Sequence, residues 1–455
     1  MKNWLPQYLP YIRRRPLSSR TLALSPPTVL ALGFAGLIVL GTLLLLLPAA
    51  TTAPLNLLQA LFTATSAVTV TGLVVVDTGT HFTLFGQLVI AALIQAGGLG
   101  FMTFAVVAVI SLGAKVGLTQ QKIAQEAMSQ TSLAQVVQIA KAVLLYSVVI
   151  ELAGILLLTL TWYRELGLAT ASWHAVFYTI SAFNNAGFAL SSDSLMPYAG
   201  NIAVTMVISS LFIIGGIGFT VLIDLKKQQR WRLLSVNTRI VLLSTLILNV
   251  IAFLLLWILE ANNPATLANL SVKDQALAAW FQAVTPRTAG FNTLDYSQMT
   301  DASNVLTLLL MFIGGGSLST ASGIKLGTFV ILMMATYAFL RRRDDVTLLR
   351  RTIPNAQVLK ALALTFVSMA LVFIAIFVLT ALEKAPFLDI AFEAVSALST
   401  VGLSRGLTGN LSVPGKCVII FLMIAGRLGP LTLAYFLATP KQRKTRYADT
   451  KIQVG

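Results

Sequence analysis

Four glycines, each closing a short polar phrase, are the residues of this sequence with the clearest chemical use. They are Gly72, Gly187, Gly290 and Gly402, and they recur at intervals of 115, 103 and 112 residues. Because glycine lacks a Cβ, it reaches backbone dihedrals that turn a carbonyl oxygen out of the chain. Several carbonyls turned toward one axis can replace the hydration shell of a monovalent cation. The phrases therefore predict a cation site made of backbone oxygens.

The residues that precede each glycine complete this predicted selectivity filter for a monovalent cation. The full set is Thr69, Val70, Thr71 and Gly72, then Asn185, Ala186 and Gly187, then Thr288, Ala289 and Gly290, then Thr400, Val401 and Gly402. One isolated phrase of this kind is more often an ordinary turn. Four copies at matching places are difficult to explain as turns, so we favour the filter.

A second glycine phrase follows each of the first ones, after 24 to 28 residues. Its four copies are Gly97-Gly98, Gly215-Gly216, Gly314-Gly315 and Gly426-Arg427. Two phrases that recur four times in the same order indicate four tandem repeats of one structural unit.

The composition determines what kind of protein must position these phrases. Of 455 residues, 56% are hydrophobic and 11% are charged, whereas ordinary soluble domains carry about 25% charged residues. This excludes a soluble enzyme and a disordered chain. Eight apolar runs reach the roughly 20 residues that cross a bilayer. They are 28–49, 83–112, 138–161, 201–224, 238–259, 303–339, 356–381 and 416–437.

Between the members of each pair of long runs lies a semi-polar stretch too short to span a membrane. The four stretches are 55–70, 172–184, 274–286 and 387–399. We interpret them as pore helices that enter the membrane and turn back. The predicted fold is an all-α polytopic membrane protein of four tandem helix–pore loop–helix repeats around a pseudo-fourfold central pore, with eight transmembrane helices.

The repeats divide the chain, and the basic residues orient it. We assign 1–25 to an N-terminal segment, 26–112, 113–224, 225–340 and 341–438 to repeats 1 to 4 with their preceding linkers, and 439–455 to a tail. Of the 32 Lys and Arg residues, 24 lie in the N-terminal segment, the linkers between repeats and the tail. By the positive-inside rule, both termini are cytoplasmic and the pore loops enter from outside.

A polar interruption of the sixth long run predicts a gate. Within twelve residues stand four glycines and four Ser or Thr, which should break the helix at mid-membrane. Lys325 in that setting costs about 3 kcal/mol on insertion scales. A stripe of small residues for close packing explains the glycines but not the lysine. The predicted gate loop comprises Gly314, Gly315, Gly316, Ser317, Ser319, Thr320, Ser322, Gly323 and Lys325.

Arg427 replaces the glycine found at the matching position of the other three repeats. An arginine facing lipid is improbable, so it should face the pore or pair with an acid. Two interpretations stay open, a structural ion pair and a positive charge that raises the barrier below the filter and holds the gate loop closed.

These phrases resemble the four filter loops of the Trk/Ktr/HKT superfamily of potassium transporters, over about residues 25–440. The likeness is greatest to the membrane subunits of bacterial Ktr systems, since no extra pair of N-terminal helices precedes the repeats. The resemblance implies potassium uptake across a bacterial plasma membrane, a mobile loop beneath the filter and sodium stimulation in some members. It also implies a homodimer docked on a cytosolic ring of RCK-type nucleotide-binding subunits.

Two other classes of membrane protein, a secondary transporter and an enzyme, need residues that can be sought in this sequence. A secondary transporter of Na⁺, or of another monovalent cation coupled to H⁺, would need halves of opposite topology and a carboxylate within the membrane. Glu151 is the main such acid, and the repeats share one topology. A membrane enzyme is disfavoured because no acid–base pair, metal ligand set or nucleophile is evident. No organic cofactor and no nucleic-acid partner are expected.

Overall fold

The computed structural model describes residues 26–100 and 133–429, and this part of the chain is almost entirely helical. The predicted N-terminal segment, the parts 101–112 and 430–437 of two apolar runs, most of the first cytoplasmic linker and the predicted tail lie outside the described residues. Every apolar run and every short stretch predicted from the sequence contains at least one helix.

The first helix of each repeat is long and apolar. These helices are α1 (Pro26–Leu45), α5 (Leu133–Leu166), α9 (Val236–Glu260) and α13 (Asn355–Leu382). The pore helices follow them, as α2 (Leu57–Val68), α6 (Leu168–Phe183), α10 (Val272–Val284) and α14 (Phe387–Ser399). Their predicted boundaries are confirmed to within about four residues.

The second helix of each repeat ends or breaks at the second glycine phrase. These helices are α4 (Leu84–Gly98), α7 (Ile202–Ile217) with α8 (Phe219–Lys227), α11 (Asp301–Phe312) with α12 (Leu326–Leu340), and α15 (Val413–Leu428). The short helix α3 (Thr78–His81) precedes α4, and 3₁₀ turns occur at Met196–Tyr198, Trp231–Leu233 and Thr408–Asn410. A two-stranded hairpin, β1 (Thr347–Leu348) and β2 (Arg351–Thr352), lies in the linker before repeat 4.

Length and apolar composition distinguish the crossing helices. Within the described residues, Lys141–Leu166, Val236–Glu260 and Asn355–Leu382 are long enough to cross a bilayer unaided. The pair α7 and α8 also qualifies, although it bends by 92° at Gly218, whose φ is +100°. In repeat 3 the glycine phrase separates α11 from α12, whereas the described residues stop at 100 and 429, just after the ends of α4 and α15.

Side-chain caps mark the start of the first and third pore helices, α2 and α10. Asn56 accepts a hydrogen bond from the Gln59 backbone N–H at 2.8 Å, and the Gln59 side chain accepts from the Asn56 N–H at 3.1 Å. This reciprocal capping box satisfies two donors that a helix start leaves free. Ser271 caps α10 in a similar way through the Asp274 N–H. From these starts the helices run inward, and their last turns are buried.

The four repeats close into a ring. The second helix of each repeat packs on the pore helix of the next one, in the pairs α4 with α6, α7 with α10, α11 with α14 and α15 with α2. The pore helices therefore lie at the centre. The long helices lie outside and expose apolar side chains such as Leu152, Ile258 and Phe373, as lipid-facing helices do.

Candidate ion pathway

The four predicted filter loops share one backbone signature. Each glycine has a positive φ, at +94°, +69°, +80° and +90° in chain order. The residue two positions earlier is also left-handed, with φ values of 56° to 60° at Val70 and Asn185, 75° at Thr288 and 47° at Thr400. Valine and threonine rarely adopt this conformation, so the surrounding structure must hold it. The sequence placed these residues in the filter, but it indicated an unusual backbone conformation at the glycines alone.

The same four glycines are where neighbouring loops meet. A Cβ on Gly72 would collide with the carbonyl oxygen of Ala186 in loop 2. One on Gly187 would meet the Ala289 carbonyl of loop 3, and one on Gly290 the Val401 carbonyl of loop 4.

The fourth contact closes the ring, because a Cβ on Gly402 would collide with the Thr71 carbonyl of loop 1. Each carbonyl belongs to the residue just before a filter glycine. The structure thus brings together all four loops, and the nine non-glycine residues of the predicted filter are at most 1% exposed. A ring of this kind can present carbonyl oxygens to a dehydrated cation.

Hydroxyl groups on the pore helices anchor each loop, and sequence reasoning missed them. Ser66 accepts from the Gly72 N–H at 3.0 Å, and Ser396 accepts from the Gly402 N–H at 3.1 Å. In repeats 2 and 3, Ser181 and Thr285 donate to the carbonyls of the residues that follow the filter glycines, at 2.8 and 2.5 Å. The available signal was a hydroxyl residue five or six positions before every filter glycine.

The second glycine phrase has a packing role. A Cβ on Gly97, Gly215 or Gly426 would collide with the carbonyl oxygen of Val68, Phe183 or Leu398, respectively. These carbonyls lie in the last turn of the pore helix of the same repeat. In repeat 3 the matching glycine, Gly314, instead packs on the Ser322 carbonyl, because the gate segment occupies that space.

The predicted gate loop is an irregular segment that connects α11 to α12, the two helices of the sixth apolar run. Its two ends are joined by hydrogen bonds from the Gly314 N–H to the Ile324 carbonyl at 2.9 Å and from the Ile324 N–H to the Phe312 carbonyl at 3.2 Å. The predicted helix break is therefore present. Most of the loop is buried, Ser317 being exposed, and the Lys325 ammonium donates to the Ala321 carbonyl at 2.5 Å.

The loop packs on the bend of repeat 2. The Gly316 N–H donates to the Gly216 carbonyl at 2.8 Å, and the Phe219 N–H donates to the Leu318 carbonyl at 3.0 Å. These bonds satisfy backbone groups that the break at Gly218 frees from helical pairing. The bend and the gate loop therefore form one unit.

Arg427 binds this loop to repeat 1. Its guanidinium donates to the Thr320 carbonyl at 2.6 Å, to the Ser322 hydroxyl at 3.4 Å, and to the carbonyls of Gly97 and Gly98 at 2.8 and 3.3 Å. Every one of these acceptors is uncharged. Within the described ranges, the ion pair that the structure contains is Arg405 with Asp389, so the ion-pair interpretation of Arg427 is not supported there.

A cavity of about 240 Å³ adjoins the gate loop and is lined by both Lys325 and Arg427. Phe34, Phe219 and Phe312 form part of its wall. Lys325 and Arg427 therefore place two basic side chains on the wall of this cavity.

Glu151 lies behind filter loop 2. Its carboxylate accepts from the Gln95 amide at 3.0 and 3.2 Å and from the Asn184 amide at 3.5 Å. Asn184 also donates to Gln95 at 2.6 Å. The acid therefore connects α5, α4 and the end of the second pore helix, next to the filter residue Asn185.

A family of known proteins matches most of this chain. The family described as "TrkH: Cation transport protein" matches residues 28–447. The chain belongs to this family of cation transport proteins. The resemblance to the Trk/Ktr superfamily is thereby confirmed, and the relatives described next confirm the likeness to its Ktr branch.

Similar family members span nearly the whole chain. "Ktr system potassium uptake protein B" of Bacillus subtilis (strain 168) is 50% identical over 431 residues, which is 95% of this chain and 97% of that protein. The protein of the same name from Vibrio alginolyticus is 43% identical, covering 94% and 95%. The potassium transporter TrkH from Vibrio parahaemolyticus shares the fold, with a TM-score of 0.74 and 20% identity over 94% of this chain and 86% of that chain.

Proposed function

We propose that this protein is the pore-forming subunit of a potassium-uptake system. The observation that carries the proposal is the closed ring in which each filter glycine lies against the carbonyl that precedes the glycine of the next loop. Rings of backbone carbonyls coordinate dehydrated K⁺ in proteins. The relatives named as potassium uptake proteins support K⁺ as the transported ion.

We further propose eight crossings with both termini in the cytoplasm of a bacterial cell, the membrane being its plasma membrane. The concentration of Lys and Arg in the linkers and terminal segments supports this orientation. The apolar side chains exposed along the long helices support contact with lipid.

The gate assignment extends the same proposal. Residues 314–325 close the pathway beneath the filter, and Arg427 holds them closed while adding a positive barrier. Its four hydrogen bonds across the loop and the end of α4 support this role. Opening then requires the loop to leave the guanidinium.

Control and partners complete the proposal. A homodimer docks on a cytosolic ring of RCK-type nucleotide-binding subunits, Na⁺ stimulates uptake, and K⁺ is cargo rather than a cofactor. The resemblance to the Ktr branch and the relatives' printed designation as parts of a "Ktr system" support these points.

The ring predicts the outcome of filling one glycine position. In a bacterial strain that lacks potassium uptake, the full-length chain should restore growth at low K⁺. Gly290→Ser and Gly290→Asp should weaken the preference for K⁺ over Na⁺, because a side chain there collides with the Val401 carbonyl and with Gly187. Growth and initial rates of ⁸⁶Rb⁺ and ²²Na⁺ uptake measure the effect.

Gly406→Ser is the matched control. Gly406 has a comparable φ of +93°, but no atom lies within 4 Å of a Cβ built on it. A serine at position 406 therefore introduces the backbone strain without a collision, and the cation preference of this variant should remain that of the parent chain. Unchanged Rb⁺/Na⁺ ratios in both Gly290 variants would contradict the filter assignment.

A second candidate is a secondary transporter that couples a monovalent cation to Na⁺ or H⁺. The buried carboxylate of Glu151 is the observation that favours it, since coupling uses an acid inside the membrane. That candidate requires Glu151 to bind and release a proton or cation in every cycle.

A further inference from the structure

Asn185 lies between the gate loop and two filter loops. The Thr320 hydroxyl of the gate loop donates to the Asn185 side-chain oxygen at 2.8 Å. The Asn185 amide nitrogen donates in turn to the Thr288 hydroxyl of filter loop 3, at 3.4 Å. All three side chains are at most 1% exposed, so water does not compete readily for these bonds.

The absence of a side chain at Gly215 makes the contact between Thr320 and Asn185 possible. Gly215 of α7 faces the contact, and a Cβ there would lie 2.9 Å from both the Thr320 hydroxyl and the Asn185 side-chain oxygen. The Thr320 N–H also donates to the Gly215 carbonyl at 3.3 Å. The gate loop thus reaches filter loop 2 through an opening that this glycine leaves in α7.

The two filter residues in this chain of hydrogen bonds both lie at left-handed backbone positions. Asn185 and Thr288 both have left-handed φ values, 60° and 75°. Asparagine tolerates that conformation, but a β-branched residue does not. A side-chain hydrogen bond that exists only in this arrangement lowers the free energy of the left-handed state relative to its alternatives.

The other two loops differ. Val70 occupies the same position in loop 1 and has no polar side-chain group, and the buried Thr400 hydroxyl of loop 4 has no hydrogen-bond partner within the described part of the chain. The described contacts therefore connect the gate loop to filter loops 2 and 3 through side chains, and leave loops 1 and 4 without such a link.

We propose that Thr320, Asn185 and Thr288 couple the position of the gate loop to the conformation of the filter, so that cation preference depends on whether the gate is seated. This inference rests on the proposed function and gives Thr320, Asn185 and Thr288 a positioning role in it. Thr320 is suited to the task because Arg427 binds its carbonyl at 2.6 Å while its hydroxyl binds the filter. Movement of the loop away from the guanidinium withdraws that hydroxyl.

The test compares cation preference with transport rate. Full-length protein is reconstituted in liposomes, and ⁸⁶Rb⁺ and ²²Na⁺ fluxes are measured for Thr320→Val, Thr320→Ser and Ser319→Ala. Thr320→Val keeps the shape but removes the donor, and should lower the Rb⁺/Na⁺ flux ratio about two- to tenfold, the range expected for one hydrogen bond. Thr320→Ser should restore the ratio.

Ser319→Ala separates coupling from simple loosening of the gate. Its hydroxyl bonds inside the loop, to the Gly316 and Ala321 carbonyls at 2.7 and 3.3 Å. This variant should change the rate and keep the ratio. A purely structural role of Thr320 would give the same pattern for Thr320→Val, an altered rate at the parent ratio, and would overturn the coupling.

A double-mutant cycle provides a second, independent test. Thr288→Val combined with Thr320→Val should shift the ratio no further than either change alone, because both interrupt one hydrogen-bond chain. Thr400→Val, at the matching position of loop 4, should combine with Thr320→Val additively. Additive effects in the Thr288 pair would overturn the coupling, as would a parent-like ratio in Thr288→Val if Thr320→Val does not fold.

The same flux measurements distinguish a failure of the proposed function from a failure of the coupling. A reconstituted parent chain with no Rb⁺ flux would overturn potassium conduction and the coupling together. Selective Rb⁺ flux in the parent and an unchanged ratio in Thr320→Val would overturn the coupling alone.

Discussion

At the scale of single residues, the filter depends on groups with opposite tolerances. Glycine enters left-handed dihedrals at little cost, and it also leaves room for the carbonyl of the next loop. Val70 and Thr400 take similar dihedrals without that freedom. The Ser66 and Ser396 hydroxyls, six residues earlier on the pore helix, accept hydrogen bonds from the N–H groups of Gly72 and Gly402. These bonds stabilise the two loops and so offset part of the backbone strain at Val70 and Thr400.

Glu151 decides between the two candidate functions at this scale. In a uniport pathway its carboxylate serves to fix Gln95 and Asn184 behind loop 2. Glu151→Gln should therefore retain most K⁺ uptake, because the new amide oxygen still accepts from Gln95. Glu151→Ala should lower the free energy of unfolding by about 1–3 kcal/mol, the cost of leaving buried donors unpaired.

Initial uptake rates with and without Na⁺ and pH gradients, together with thermal unfolding in detergent, measure both effects. Loss of gradient-driven uptake in a well-folded Glu151→Gln protein would favour the coupled transporter instead.

At the scale of elements, the sixth run is a helix broken by an irregular segment, the proposed gate loop. Gly315 and Gly316 let the loop lie against the backbone of α7, and Gly314 lies against Ser322 near the other end of the loop. The loop then exchanges helical hydrogen bonds for bonds to the bend at Gly218 and to Arg427. These tertiary contacts rather than a helical ladder hold the loop, so its displacement requires that they break together.

Removing the guanidinium should open this element. Arg427→Ala deletes four hydrogen bonds, and bonds to a charged group contribute about 1.5–3 kcal/mol each when they are well made. We expect K⁺ flux to rise by about tenfold or more. Lys360→Ala, which removes an exposed positive charge from α13, is the control for net charge.

Flux through liposomes containing each variant gives the comparison. Deletion of residues 315–322 should likewise raise the flux. Parent-like rates in both the deletion and Arg427→Ala would remove the loop and the arginine from the mechanism.

At the scale of the whole molecule, the ring forms because every repeat offers the next one the same two surfaces. A second helix packs on the following pore helix, and a filter glycine lies on the following carbonyl. Four such contacts close the structure, so that the strained loops are restrained from both sides. Outside this ring, Arg405 joins the loop after the fourth filter to Asp389 at 2.6 Å and to the Tyr296 carbonyl of repeat 3 at 2.9 Å.

The orientation of the whole molecule is testable with its single cysteine. Cys417 is exposed, so a Cys417→Ser chain provides a background without thiols. Cysteines introduced at Arg342 and at Asp295 should react from opposite sides of the membrane, with Arg342 on the cytoplasmic side because the positive charges collect there.

Labelling of intact cells with a membrane-impermeant maleimide, before and after permeabilisation, gives the sidedness. Reaction at Arg342→Cys in intact cells would reverse the predicted topology.

The sequence alone determined the helical class, the pore helices and the filter glycines. Apolar runs that exceed the bilayer thickness have few stable alternatives to helices, and glycine in a repeated phrase marks a backbone constraint that acts locally. The break at 314–325 was also predictable, since glycine and hydroxyl residues oppose a helix through their own local bonding.

Only the tertiary structure decided which distant groups meet. The partners of Arg427 lie 107 and 330 residues away along the chain, and neither spacing leaves a local pattern. The left-handed positions at Val70, Thr288 and Thr400 were hidden for the same reason, because their intrinsic preferences oppose the conformation that the assembled ring imposes on them. The contact of Thr320 with Asn185 belongs to this second class, since it joins residues 135 positions apart and leaves no local pattern.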